Sequence, residues 1–194
     1  MENEVKKLLK TKIVGKNIIF FDEIDSTQIQ AKNLAEKNIE NGTMVLTNNQ
    51  LNGLGTHGRK WYSEKSNNIS FTLVLYPKCS IQKLNHLTKD IAKYVVEAID
   101  KISKIKTDIK EPNDIMLNSK KIGGILTQII TNGENIKYLL IGIGINVNSE
   151  DFPEELEQIA TSLKKETGME FSRENIIAEF CNVFEEYCLK EKVI

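Results

Sequence analysis

The segment "NGLGTHGRKW", Asn52 to Trp61, sets three glycines beside one arginine, one lysine and the chain's single tryptophan. Gly53, Gly55 and Gly58 let backbone N–H groups approach an anion closely, and Arg59 can neutralise such an anion through two parallel hydrogen bonds. Trp61 offers a flat face to a ring. The same glycine spacing marks dinucleotide-binding folds, but there it opens a helix whose N-terminus holds the pyrophosphate, with an acidic residue about 20 positions further on. Here the loop is followed by "RKWYSEKSNNISFTLVLYP", a polar stretch running into a strand. That context excludes a nicotinamide or flavin domain. Taken alone, the loop reads equally as an anion cradle and as a surface loop whose Trp61 belongs to the core.

Four further segments carry groups that could do chemistry. "DSTQ" (25–28) places Ser26, Thr27 and Gln28 at a strand-to-helix turn, where they can read a small polar ligand or simply cap the helix. "EPND" (111–114) is a sharp turn presenting Asn113. In "KKIGGIL", Lys121 begins an otherwise apolar strand beside Gly123 and Gly124, as a solvated strand end or as a cation aimed into a cleft. "GIGINVN" (142–148) supplies Gly142, Gly144 and Asn146 where a ligand could lie against bare backbone.

The elements that must position these groups follow from periodicity and punctuation. A short charged helix is expected over 2–12, then a β-branched and aromatic strand over 17–24. A helix capped by Asp25 or Ser26 should run towards Gly42, followed by strands over 43–49 and 68–77. A long amphipathic helix is expected over 81–102, then strand, turn and strand over 107–117. A hairpin turning at Asn132-Gly133 closes the sheet near Asn148. Helices over 153–161 and from Ser172 onward complete the chain. Strands in neighbouring runs, with helices at both ends and one between, predict an α+β fold with a mixed, mostly antiparallel sheet flanked by helices.

A chain of 194 residues, 40% hydrophobic and 27% charged, suits one globular domain with a real core. Its net charge of -1 gives no overall basic field, which disfavours duplex DNA as a partner. No apolar run approaches the roughly 18 residues of a membrane span. The charged start "MENEVKKLLKTK" lacks the apolar segment of a secretory signal. Cys79, Cys181 and Cys188 are odd in number and lack C-x-x-C spacing, which argues against a disulfide framework or a zinc site and for a cytoplasmic protein. Cys181 and Cys188, seven apart on a helical pattern, read as one buried face.

In order along the chain, "DSTQ", "QLNGLGTHGRKW", "KEPND", "KKIGGIL" and "GIGINVN" resemble the catalytic domain of biotin protein ligases. The pattern of that family is D-S-T-N, Q-T-x-G-R-G-R-x-G-R-x-W, K-W-P-N-D, K-x-x-G-I-L and G-I-G-I-N-V-N. The resemblance runs from about Lys12 to the C-terminus. It implies the class II synthetase-like fold of the biotin and lipoate ligases. It also implies a two-step reaction in which biotin and ATP give biotinyl-5′-adenylate, which then acylates a lysine of a biotin carboxyl carrier domain. Carried over position by position, Ser26, Thr27, Gln28 and Gln50, with Gly53 and Gly55, would hold the biotin ring. Gly124, Gly142 and Gly144 would make room for it. Lys121 and Arg59 would be the catalytic cations, at the carboxylate and the phosphate. Gly58, Arg59, Trp61, Asn113 and Asn146 would lie on the nucleotide side. Mg²⁺ would accompany ATP without a protein metal site, and a homodimer is implied as an assembly, without DNA or membrane.

The departures from the pattern fall in the chemistry. Leu54, Thr56 and His57 stand where arginines are usual or adjacent, Glu111 replaces a tryptophan, and Gln28 an asparagine. Each lost charged hydrogen bond would weaken adenylate retention by about 1.5–3 kcal/mol. The few residues before Asn17 leave no room for a helix-turn-helix, and none follow the last helix to make an SH3-like barrel, so 1–194 is expected to be the catalytic domain alone. Two other functions stay open: a biotin- or nucleotide-binding module without efficient turnover, and a ligase for lipoate or octanoate. The latter class carries an R-R-x-x-G-G-G loop followed by H-D, which this sequence lacks.

Overall fold

A computed structural model describes residues 1–194. In chain order the elements are α1 (Glu2–Leu8), β1 (Ile18–Ile24), α2 (Thr27–Ala35), β2 (Thr43–Gln50), β3 (Gly53–Leu54), β4 (Lys60–Trp61) and β5 (Ile69–Leu75). There follow α3 (Leu87–Ser103), β6 (Asp108–Lys110), β7 (Asp114–Leu117), β8 (Lys120–Asn132), β9 (Asn135–Ile145), α4 (Leu163–Thr167) and α5 (Arg173–Lys190). Seven strands form one sheet in the order β1-β2-β5-β9-β8-β7-β6, and β3 pairs with β4 as a separate hairpin. Within the large sheet only β1 and β2 run parallel, with α2 as their crossover. The mixed, mostly antiparallel sheet expected from the sequence is present. No helix follows the glycine loop, in keeping with the exclusion of a dinucleotide fold.

The period-2 alternation of the central strands gives the sheet two unlike faces. On one, Leu139, Ile141 and Ile143 of β9, Phe71 and Leu73 of β5, and Met44 and Leu46 of β2 meet Ile91, Val95 and Ile99 of α3 and Ile177, Phe180 and Phe184 of α5. This is the main core. On the other, Tyr138 and Leu140 of β9, with Val45 and Val74, pack under Ala31 and Ala35 of α2. Further along that second face the apolar side chains run out. Gly124 of β8 pairs with Gly144 of β9, Leu126 with Gly142, and Gly142 in turn with Thr72 of β5. One helix cannot cover the whole face, and the part beyond α2 is left concave.

Several boundaries differ from expectation, each for a local reason. α1 stops at Leu8, and the chain after it is gripped by the buried Glu185 carboxylate of α5. That carboxylate accepts from the backbone N–H of Lys12, Ile13 and Val14 at 2.7, 2.8 and 2.8 Å. α2 ends at Ala35, well before Gly42, and α3 begins at Leu87 after a short 3-10 turn. The expected helix over 153–161 is replaced by successive turns. Its last residues pair with the start of β8 instead: the Lys121 N–H donates to Ile159 O at 2.9 Å and the Thr161 N–H to Lys121 O at 3.0 Å. A residue committed to such a bridge cannot also continue a helical ladder. α5 starts as expected, with Ser172 Oγ accepting from the Asn175 N–H at 3.2 Å. Cys181 and Cys188 lie buried in the core on α5, and burial pushes both thiols up.

The loop over 153–161 is tied down by Glu166 of α4. Its carboxylate accepts from Thr161 Oγ1 at 2.6 Å and from Asn118 Nδ2 in the β7–β8 turn at 2.5 Å. These hydrogen bonds, Thr161 first, lower the Glu166 pKa from its ordinary 4.5. A depressed folded-state value contributes stability above the unfolded pKa, which is lost as pH falls through the folded one. Thermal unfolding of the wild type and of Glu166→Gln should therefore differ at neutral pH, and the difference should shrink as pH falls below about 4.5. A Tm difference that does not change with pH would contradict the tie.

Candidate functional site

The concave part of the second sheet face holds a cleft of about 430 Å³. Its floor is β8 and β9, one wall is the β3–β4 hairpin, and another is the 152–160 segment through Phe152, Leu156 and Ile159. Arg59, Lys60, Lys110 and Lys121 line it, against the single acidic side chain of Asp114. A chain with net charge -1 thus concentrates cations in one cavity, where low-dielectric walls strengthen their field. Such a cavity suits anionic ligands.

At the end next to α2 the lining is neutral and polar. The Thr27 backbone N–H and hydroxyl both donate to Gln50 Oε1, at 2.9 and 3.0 Å. Gln50, reaching over from β2, thereby satisfies a free N–H of the first turn of α2. The expected cap does not form: Ser26 occupies the N-cap position but makes no side-chain capping hydrogen bond. Thr72 Oγ1 lies 2.9 Å from Thr27 Oγ1 and 3.1 Å from Gln28 Oε1, where its one proton can serve either. With both acceptor sites of Gln50 Oε1 used, its Nε2 donors are left for a ligand.

Lys121 reaches the cleft because of a bulge. Ile115 pairs with Gly123 and Met116 with Lys121, so β8 spends one extra residue, Ile122, against β7. In unbroken alternation Lys121 would face the core and Ile122 the cleft. The bulge exchanges them: Ile122 is fully buried in the core, while Lys121 joins Gly124 and Gly142. There its Nζ is 2.6 Å from Asp114 Oδ1 and 5.7 Å from the centre of the Trp61 ring.

Trp61 lies across the glycines of the floor. A Cβ on Gly144 would come within 2.4 Å of Trp61 Cε2, and one on Gly124 within 3.2 Å of its Cζ3. A Cβ on Gly142 would come within 2.6 Å of Gln28 Oε1. The room these three glycines leave is therefore filled by protein side chains, not held open for a ligand. The indole lines the cleft and its N–H has no partner. Arg59 is folded onto its own loop, with Nε donating to Thr56 O at 3.2 Å and Nη2 to Thr56 Oγ1 at 2.9 Å.

Thr27, Gln28, Gln50, Gly55, Arg59, Trp61, Asn113, Lys121, Gly124, Gly142, Gly144 and Asn146 are brought together in the cleft lining. Ser26, Gly53 and Gly58 are outside it. Ser26 is buried with an unpartnered hydroxyl, Gly53 lets the hairpin close on the Trp61 carbonyl, and Gly58 takes φ +73 in the turn. Asn113 and Ile125 exchange hydrogen bonds, and Asn146 donates to Thr161 O at 3.1 Å. The sequence reading missed Thr72, Lys110 and Asp114. Thr72 could have been found as a polar residue in the otherwise apolar "ISFTLVL", and the other two flank the Asn113 turn already singled out.

Comparison with known proteins gives this geometry its context. Residues 20–146 match the biotin/lipoate A/B protein ligase family. The bifunctional ligase/repressor BirA of Bacillus spizizenii is 42% identical over 186 residues, covering 95% of this chain and 57% of the relative. The biotin–[acetyl-CoA-carboxylase] ligase of Paracoccus denitrificans is 31% identical over 149 residues, 74% of this chain and 61% of the relative. This chain thus spans less than two thirds of the length of these curated relatives. Among solved structures, the Aquifex aeolicus biotin protein ligase in complex with biotin and ATP aligns with a TM-score of 0.77 at 32% identity, over 91% of this chain and 72% of that one. The Leishmania major biotin protein ligase in complex with biotinyl-5-AMP aligns with a TM-score of 0.72 at 26% identity, over 90% and 75%. With a family match over most of its length, the same sheet and five motifs in order around one cationic cleft, the chain belongs to the biotin/lipoate A/B protein ligase family.

Proposed function

We propose that this chain activates biotin with ATP and transfers the biotinyl group to a lysine of a biotin carboxyl carrier domain. The observation that carries this reading is Lys121, turned by the β8 bulge into a cleft with neutral amides and hydroxyls at one end and further cations at the other. Thr27, Gln28, Gln50 and Thr72 supply donors and acceptors for a ureido ring. Lys121 Nζ, exchanging Asp114 for the biotin carboxylate, holds that carboxylate against the α-phosphate of ATP. A carboxylate oxygen attacks the α-phosphorus and the bond to pyrophosphate breaks. Lys121, Lys110 and Arg59 offset the charge that builds up on the phosphate oxygens. In the second step the carrier lysine amine attacks the acyl carbon, the bond to AMP breaks, and the amine proton passes to solvent. The β3–β4 hairpin and the 152–160 wall limit access of water to the adenylate.

Mg²⁺ enters with the triphosphate. The cleft offers one carboxylate, Asp114, already held by Lys121, which suits a cation carried on phosphate oxygens and not a protein cage. A cytoplasmic setting accords with three free cysteines, and no helix is long and apolar enough to cross a membrane. The reading includes a homodimer as the assembly and leaves out DNA as a partner.

A second reading, a biotin- or nucleotide-binding module with little turnover, draws on the Arg59 side chain being folded onto Thr56. Pyrophosphate release separates the two. Release from ATP should require biotin and be absent with octanoate; equal stimulation by octanoate would reassign the acid, and no release with any acid would leave the binding module.

A further inference from the structure

Two side chains lie over the bare floor of the cleft, and they are held very differently. Trp61 covers Gly144 and Gly124 from a two-stranded hairpin outside the main sheet, and its indole N–H has no partner. Gln28 covers Gly142 from the first turn of α2 and is only 4% exposed. Its amide is held at both ends: Oε1 lies 3.1 Å from Thr72 Oγ1 on β5, and Nε2 lies 3.2 Å from Gln128 Oε1 on β8. Both partners can donate or accept, so the tether holds whichever way round the amide sits. Gln28 thus forms a bar across β5, β9 and β8, three neighbouring strands of the sheet. Of the two covers, Trp61 can give way to a ligand and Gln28 is fixed.

The cleft ends at this bar. Thr72, Gly142 and Leu126, one residue from each strand at the level of Gln28, line it. The next residues on the same face, Val74, Leu140 and Gln128, do not. Ala31 and Ala35, three and seven positions after Gln28 and so on the same side of α2, pack with Val74 and Leu140. Behind Gln28 the face is closed apolar packing, so the length of this side chain sets how far a ligand reaches along the floor. We propose that Gln28 is a specificity-determining end stop. It limits the acid to a compact head group, such as a bicyclic urea, and excludes one that carries a substituent on the edge facing α2. This deepens the proposed use of biotin and rests on it.

The test compares wild type with Gln28→Ala, which removes the bar, and Gln28→Met, which keeps its length without its polar atoms. Calorimetry gives Kd for biotin and for the two isomers of biotin ethylated on a ureido nitrogen, and biotin-dependent pyrophosphate release is followed separately. The N–H lost on alkylation is common to all three proteins, so differences between them report space. Thr72 keeps Thr27 as a partner at 2.9 Å in either variant and Gln128 is exposed to water, so both should fold with a Tm close to wild type. Wild type should prefer biotin over both isomers. For the isomer it rejects more strongly, that preference should fall about tenfold in Gln28→Ala, the effect of relieving a steric clash, and stay within about threefold of wild type in Gln28→Met. Equal binding of biotin and both isomers by wild type, a preference unchanged in Gln28→Ala, or one lost to the same extent in both variants would overturn the end stop. Biotin binding with the expected pattern but without pyrophosphate release would sink the proposed activity and leave the end stop standing; no biotin binding by wild type would overturn both.

Discussion

Lys121→Ala should lower adenylate formation by about 10²–10³-fold, the range for losing one preorganised charge at a reacting oxyanion. Lys121 is the cation brought to the floor of the cleft, next to the polar end, and its position depends on the bulge at Ile122. Its side chain fills no core space, so truncation opens no cavity. The structural cost comes instead from Asp114, whose carboxylate, only about one-fifth exposed, loses its partner at 2.6 Å. That cost should stay near 1–2 kcal/mol, because Asp114 retains access to water. Circular dichroism should show an intact fold while single-turnover adenylate formation collapses. Turnover equal to wild type would return Lys121 to an ordinary strand-end lysine.

Gly144→Ala should disrupt the site from the other side. The added Cβ would lie 2.4 to 2.6 Å from three atoms of the Trp61 indole, a rigid ring that cannot bend aside. The strand cannot retreat either, since Gly144 is held between Ser70 of β5 and Gly124 of β8. The indole must move, and with it the β3–β4 hairpin, in which Trp61 pairs with Gly53. Overpacking of this kind costs about 1–3 kcal/mol, and a shift near 1 Å in a positioning wall lowers turnover by about 10²-fold. Trp61 is the only tryptophan in the chain, so its fluorescence reports the displacement without interference. Emission should shift to the red in the variant. Unchanged emission and turnover would mean that Trp61 does not rest on Gly144.

How far the sequence reveals this site depends on whether each feature is local. The parity of β9 is legible: Tyr138, Leu140, Gly142, Gly144 and Asn146 share a face that passes from apolar to bare to polar, and that passage is the cleft. The bulge is not legible. Lys121 and Gly124 stand at opposite parities, and only the pairing with Ile115 and Met116 shows that Ile122 is the extra residue. The turns over 153–161 are not legible either, because the partner that competes with a helix there, Lys121, lies more than thirty positions away in sequence. Gln50 capping α2, in place of Ser26, is likewise a long-range effect. The concentration of Arg59, Lys60, Lys110 and Lys121 in one cavity is invisible in a net charge of -1.

The most direct test of biotin activation and transfer is mass spectrometry of a biotin carboxyl carrier domain incubated with this protein, ATP, Mg²⁺ and biotin. The expected result is one biotinyl group on a single carrier lysine, with AMP and pyrophosphate formed and no addition when ATP or biotin is left out. An unmodified carrier domain, with ATP intact while biotin binds in the cleft, would contradict it.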